Sequence, residues 1–189
     1  MGRTIAELSW PVTTERLSLR PATVDDAAAV FAYRTLDEVG QWLTRLPRDP
    51  GAWRVRFAER LPTAIVVERD GAVVGDLFVR VQDAWAQHEV KERAVAAEAE
   101  IGWALDPRSG GQGLATEAAR ELLRICFEGL GVRRVFAICF AANEPSWRLM
   151  ERLGMRREQY SRADSLHRDG RWLDGMTYAL LADEWARGR

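Results

Sequence analysis

Lysine is nearly missing from this chain. Lys91 is the only one, and arginine supplies every other basic side chain. A coding bias that also favours alanine and glycine explains this more simply than an anion-binding role. Acidic and basic residues almost cancel, leaving a formal net charge of −1. That balance excludes the electrostatic footprint of a nucleic-acid or anionic-membrane binder. There are only two cysteines, Cys126 and Cys139, each within an apolar run and neither in a CxxC pair nor near a histidine at ligand spacing. A disulfide framework and a zinc site are therefore not expected, and both cysteines read as core thiols in a reducing compartment. No apolar run approaches the ~18 residues that span a bilayer. The opening stretch MGRTIAELSWPVTTERL also lacks the apolar segment of a signal peptide. The expectation is a cytoplasmic protein with no nucleic-acid or membrane partner and no metal.

What is present suits one globular domain. The chain has 189 residues, 47% of them hydrophobic, enough to bury a core without staples. RLSLRPA alternates as a short strand, and TVDDAAAVFAYR carries a capping signature ahead of helical spacing. Helical stretches follow around Val39, Trp42 and Leu43 and over GAWRVRFAERL. TAIVVERDGAVVGDLFVRVQ reads as a hairpin about Arg69-Asp70-Gly71. Residues 83–97 are polar and alanine-rich, a loop or short helix. EAEIGWALD is a strand with Glu98, Glu100 and Gly102 on one face and Ile101, Trp103 and Leu105 on the other.

The strongest helix runs from Gly113 to Leu130, with Leu114, Ala118, Leu122, Ile125, Cys126 and Phe127 on its apolar stripe. VRRVFAICFA reads as a central strand buried on both faces. NEPSWRLMERLG is a short helix stopped by Gly154, and two strands flank His167-Arg168-Asp169-Gly170. The alternation of strands and helices gives a mixed α/β class. His88 and His167 have no evident partner and default to the surface. Most of the eight tryptophans read as core or interface residues, with Trp42 and Trp85 as candidates for lining an acceptor pocket.

One segment asks for a reason: DPRSGGQGLATEAARELL, residues 106–123. Glycines 110, 111 and 113 stand between a strand and a helix. Such a loop leaves backbone N–H groups aimed together at the positive end of a helix dipole, an anion site suited to phosphate. A tight turn that binds nothing is the alternative. The dinucleotide fingerprint fails because Thr116 stands where its third glycine belongs, and a P-loop would need a lysine.

Four ordered segments, TTERLSLRP, AEIGWALDP, GGQGLATEA and NEPSWRLMERLGM, together resemble the GNAT superfamily of N-acetyltransferases, in its RimJ/RimL-like branch. The resemblance spans about residues 13–182. It implies the acyl-CoA N-acyltransferase fold, a central and mostly antiparallel sheet flanked by helices. It also implies one domain over residues 13–183, with an N-terminal extension at 1–12 and a tail at 184–189.

The resemblance further implies acetyl-CoA as cosubstrate. Its holders would be Trp103, Ala104, Leu105, Arg108, Gly110, Gly111, Gln112, Gly113, Leu114, Ala115, Thr116, Asn143 and Ser146. The family's Gln or Arg at the loop's first position is Gly110 when Ala115 and Thr116 anchor the alignment. A second register uses Arg108, Gly111 and Gly113. Glu100 is expected as general base, with Glu98 on the same face as the alternative. Ser146 is expected as the acid at the CoA sulfur, since Met150 replaces the tyrosine that many GNAT enzymes use. The acceptor would be a primary amine, on a protein N-terminus or a small molecule, and the protein a monomer or homodimer. Two alternatives stand beside this: an inactive CoA-binding sensor, or a transferase of a larger acyl group such as succinyl.

Overall fold

Asp70 and Gly71 make a two-residue corner. Both have positive φ, +51° and +79°, and Arg69 pairs directly with Ala72 across them. Two left-handed residues in a two-residue loop form the turn whose twist matches paired strands, so β3 (Ala64–Arg69) and β4 (Ala72–Gln82) close as a hairpin. The computed structural model describes residues 3–188 and divides into two compact units. The division falls inside β4, inside β5 (Glu98–Leu105) and inside α4 (Leu114–Arg124).

The first unit, residues 4–79 and 102–122, is built on an antiparallel ladder. β1 (Val12–Thr13) pairs with β2 (Ser18–Pro21), β2 with β3, and β3 with β4. The helices α1 (Ala27–Arg34) and α3 (Pro50–Arg60) supply Val30, Tyr33, Trp53 and Phe57 to a core that includes Ala64, Val66 and Ala104. The short α2 (Asp37–Gly40) lies between them in sequence. Asp49 starts α3 by accepting the Ala52 N–H at 2.7 Å, with Pro50 pre-set for the first turn. A buried carboxylate fixes α1. Asp76 on β4 accepts both arms of Arg34, at 2.8 and 2.6 Å, and the Tyr33 hydroxyl at 2.6 Å.

The second unit comprises residues 80–101 and 123 onward, together with Arg3. β5 begins here and pairs in parallel with β6 (Arg134–Phe140) from Glu98↔Arg134 to Glu100↔Phe136. β6 pairs antiparallel with β8 (Trp172–Leu181), and β8 with β7 (Arg156–Leu166). The parallel β5–β6 pairing among antiparallel ladders, with helices against them, is the expected mixed α/β class. α5 (Glu144–Arg152) packs on the face of Ala137 and Tyr178, whose hydroxyl donates to Glu151 at 3.0 Å. α6 (Ala182–Arg187) places Trp185 on Phe127.

Three sequence expectations change. β6 is buried on one face only: Val135 and Ala137 are buried, but Ile138 between them and Cys139 is 58% exposed. Continuous apolarity did not mean double burial, because α5 covers a single face. The helix expected to Leu130 leaves α geometry at Ile125 and ends in a π turn, with the Leu130 N–H on the Ile125 carbonyl at 2.9 Å. Finally, Cys126 is a core thiol but Cys139 is only partly buried.

Candidate active site

The glycine loop begins where β5 ends. The Asp106 N–H bonds the Val74 carbonyl at 2.9 Å, and the buried Asp106 carboxylate accepts the Arg108 N–H at 3.0 Å and its Nε at 2.9 Å. Hydrogen bonding from Arg108 outweighs burial and holds the Asp106 carboxyl below its ordinary range. The chain then makes one 3-10 turn over Pro107–Ser109. A side chain at Gly110 would put its Cβ 2.8 Å from the Pro107 carbonyl oxygen, so the backbone itself forbids one. Gly111 and Gly113 follow with φ of +75° and +77°, which only glycine adopts freely. These are the two glycines of the register that starts at Arg108.

The hydrogen bonds on either side isolate the loop's donors. The Ser109 and Gly110 N–H groups turn back to Asp106 and Pro107, while those of Thr116 and Glu117 both bond the Gly113 carbonyl at 3.1 Å. Between them, the N–H groups of residues 111–115 have no acceptor among the described residues. Five consecutive free donors thus stand at the start of an 11-residue helix, where its dipole is positive.

A second layer steadies this loop. Glu117 accepts the Thr14 hydroxyl at 2.5 Å, the Arg16 N–H at 2.9 Å and Arg16 Nε at 2.7 Å. Arg16 Nη1 continues to the Gln112 carbonyl at 2.7 Å, and Arg69 reaches the Gln112 side chain at 2.5 Å. Burial raises the Glu117 pKa, but the bonds from Thr14 and Arg16 and the Arg16 charge overcome it, so the net shift is downward. Sequence reasoning assigned Arg16, Arg69 and Glu117 no role. Glu117 lay in full view within the GGQGLATEA segment, whereas nothing local pointed to its partners about a hundred residues earlier. Gly75 was missed as well. A Cβ there would lie 2.9 Å from the Ala104 carbonyl and from Leu105 Cγ, so this bare position lets β4 close on the end of β5.

The other expected residues lie in the second unit. Glu100 stands opposite Phe136, and its carboxylate is ion-paired with Arg80. Glu98 pairs with Arg134 at 3.3 Å, and Arg134 in turn holds Glu158 at 2.5 Å. Asn143 is the residue before α5. Its carbonyl accepts the Ser146 N–H at 3.1 Å, and its side chain makes no capping bond. Burial pushes the Cys139 thiol up to about 11, with the neighbouring Ser146 side chain opposing the shift. Met150, at the position of the familiar tyrosine, is fully buried.

His167 departs from its expected surface position. Its side chain is 11% exposed, lies edge-on to Phe140 at 5.6 Å and has Nδ1 3.0 Å from Asp169. His88 is exposed. Among the described residues no group of His, Cys, Asp and Glu could hold a metal ion, and no helix is long and apolar enough to cross a membrane.

Known proteins resemble this chain along most of its length. The acetyltransferase (GNAT) domain matches residues 16–156. YnaD of Bacillus subtilis, an uncharacterized N-acetyltransferase, is 30% identical over 177 residues, 92% of this chain and 98% of its own. A GNAT-family acetyltransferase from Bacillus anthracis superposes with a TM-score of 0.79 at 27% identity, over 93% of this chain and all of its own. The ribosomal-protein α-N-acetyltransferase RimL, solved in complex with coenzyme A, shares the fold with a TM-score of 0.74 at 18% identity, covering 90% of this chain and 97% of that one.

Proposed function

This chain belongs to the GNAT acetyltransferase family and is an N-acetyltransferase, and on that premise we propose that it moves an acetyl group from acetyl-CoA to a primary amine. The observation that carries the reading is the row of free N–H groups at residues 111–115. Coenzyme A bears a pyrophosphate, and glycine-exposed donors at a helix start suit that group. Arg108, Gly110 and Gln112 shape the loop, and Leu114, Ala115 and Thr116 open the helix behind it. Backbone groups of Trp103, Ala104 and Leu105 would bond the pantetheine amides. Asn143, whose side chain is not spent on capping α5, would hold the same arm.

In the proposed reaction the amine nitrogen forms a bond to the thioester carbonyl carbon, and its proton passes to Glu100, directly or through water. A backbone N–H near Leu105 would donate to the oxygen as negative charge gathers there. Collapse breaks the carbon–sulfur bond, and the departing sulfur takes a proton through the Ser146 hydroxyl, which is refilled from water while Glu100 returns its proton to solvent. A protein N-terminal amine is the acceptor we favour, by analogy with the RimL-type neighbour, and the cytoplasm is where acetyl-CoA and such an acceptor meet.

Thermal unfolding with acetyl-CoA, followed by a thiol-release assay with peptide amines, tests this. A ligand at ~100 times its Kd adds about 2.7 kcal/mol and raises the midpoint visibly. No rise and no thiol release would overturn the reading. Thiol release from succinyl-CoA alone would replace acetyl by a larger acyl group, and a rise without release from either would leave a binding module.

A further inference from the structure

The face of β6 turned away from α5 carries a row of apolar side chains. Ile138 is 58% exposed at the centre of the row, and Phe136 and Phe140, two residues to either side, are half-buried. Strand alternation puts these three on one face and Val135, Ala137 and Cys139 on the other. Exposed apolar residues scattered singly need no reason, but three in line on one face make a patch that does.

The register fixes what lies beside this row. On β5, Glu100 stands opposite Phe136, so the carboxylate proposed to take the amine proton shares the row's face. On β8, Ala179, Thr177 and Gly175 stand opposite Phe136, Ile138 and Phe140 in turn. Side chains this small leave a shallow trough alongside β6. At its near end the Arg134 guanidinium lies over the Phe136 ring, 5.1 Å from the ring centre.

A carboxylate closes the far end. β7 bulges between Ser161 and Ser165, where Ala163 takes a left-handed φ of +47°. Asp174 fixes the bulge by accepting the Ala163 N–H at 2.8 Å and the Tyr160 hydroxyl. The bulge folds Asp164 over Gly175, where an added Cβ would lie 2.6 Å from its Oδ1. Asp164 accepts the Ser165 hydroxyl at 2.9 Å, and no arginine or lysine pairs with it among the described residues. The trough therefore offers a reacting carboxylate at one end, apolar surface in the middle and an uncompensated negative charge at the other end.

We infer that this trough selects the acceptor, taking a peptide whose first residue is apolar and whose fourth is basic. The inference rests on the acetyl-transfer reading, which sets the reacting amine beside Glu100. The first side chain then lies on Phe136 and Ile138. Arg134 occupies the near end, so the chain runs toward Phe140. Four residues of strand and two strand spacings separate Glu100 from Gly175, roughly 16 Å across the sheet. Four extended residues ending in a long side chain cover that distance, and the charge at its tip meets Asp164. Ile138 and Asp164 are specificity-determining residues and touch no reacting atom.

Rates of thiol release with acetyl-CoA and three peptide amides, Leu-Ala-Ala-Arg, Ser-Ala-Ala-Arg and Leu-Ala-Ala-Gln, test this. Replacing the leucine by serine should lower kcat/KM about tenfold, as expected for uncovering one apolar side chain. Replacing the arginine by glutamine should lower it about threefold at low ionic strength, since an ion pair near the surface contributes little more. Ile138→Ser should erase the first difference and keep the second, and Asp164→Asn should do the reverse. A variant that lowers all three rates together, or either variant failing to cross in this way, would overturn the inference. Release that ignores both peptide changes would overturn it as well and leave the row to another occupant. Release from simple amines but from no peptide would sink the inference and spare the acetyl-transfer reading. No release from any amine would remove that reading and the inference with it.

Discussion

Glu117 holds Arg16 by two separate bonds, taking its backbone N–H at 2.9 Å on one carboxylate oxygen and its Nε at 2.7 Å on the other. The first turn of α4 is thereby fastened to the chain just before β2. Because Arg16 also reaches the Gln112 carbonyl, the fastening extends into the glycine loop. Glu117→Gln keeps the shape but removes the charge and one of the two acceptor oxygens, and hydrogen bonds to charged groups contribute about 1.5–3 kcal/mol each. The variant should lose about 1–2 kcal/mol of stability and bind acetyl-CoA several-fold more weakly. Chemical denaturation and calorimetric titration read the two effects. If affinity is unchanged while stability falls, the fastening supports α4 without ordering the loop. The Glu117 carboxyl is depressed in the folded state. Its contribution is thus complete above the ordinary glutamate value and fades as pH drops below it, and the variant should lack that fall.

Gly111 and Gly113 separate strain from contact. A Cβ at Gly113 would meet nothing closer than Arg16 Nη2 at 3.7 Å, so an added methyl is resisted by the positive φ and not by crowding. Gly113→Ala should cost about 1 kcal/mol in the apo protein. Gly131, with φ of +72° and open space around it, provides the control. Gly131→Ala should cost a similar amount and leave the acetyl-CoA Kd alone, whereas Gly113→Ala should raise that Kd. Equal affinities in the two variants would mean the loop is a turn and nothing more.

The Arg34–Asp76 pair should behave as a structural lock. Asp76 is 1% exposed and Arg34 8%, with Tyr33 and, at 3.6 Å, Arg60 around the same carboxylate. Asp76→Asn leaves the Arg34 charge buried without compensation, which typically costs about 3–5 kcal/mol. Burial alone would raise the Asp76 pKa, but the two arginines and Tyr33 reverse it, and the net shift is downward. A depressed carboxyl stabilises the fold fully above the unfolded value of about 3.9 and less as pH falls through its folded value. Wild-type stability should therefore decline below about pH 4, and Asp76→Asn should show a shallower decline. Parallel acid-unfolding curves for the two proteins would contradict the lock.

Much of this was legible beforehand, for physical reasons that differ by element. Asp70-Gly71 and Gly154 are local signals, since each specifies its own backbone angles whatever surrounds it. The loop at 106–113 was legible for the same reason: glycines ahead of a helix declare that bare backbone is needed. β6 was not, because RVFAICF is equally apolar at Val135 and Ile138, and only the position of α5 decides which is covered. The π turn at Ile125–Gly129 adds one residue to a helical turn without altering the apolar pattern, so periodicity could not reveal it. Arg16 and Arg69 were invisible as loop partners, since an arginine's reach across the fold depends on tertiary placement. The partial burial of His167 beside Phe140 is of the same kind.

Glu100 is the carboxylate on which the proposed chemistry turns, and its ion pair with Arg80 sets the terms of a test. Removing a positioned base typically lowers turnover by 10² to 10⁴. Glu100→Gln should therefore reduce kcat by at least about a hundredfold while the acetyl-CoA Kd stays the same. Glu98→Gln serves as the comparison, because Glu98 is engaged by Arg134 in a network with Glu158 and should change kcat little. Arg80 competes with a cationic amine for the same carboxylate. Arg80→Gln should consequently lower KM for the amine, most clearly at low ionic strength, where attraction between exposed charges is least screened. Steady-state kinetics on the three variants tell the outcomes apart. If Glu98→Gln abolishes turnover and Glu100→Gln does not, the base is the other carboxylate on this face. If neither matters, proton removal belongs to solvent or to a group outside β5.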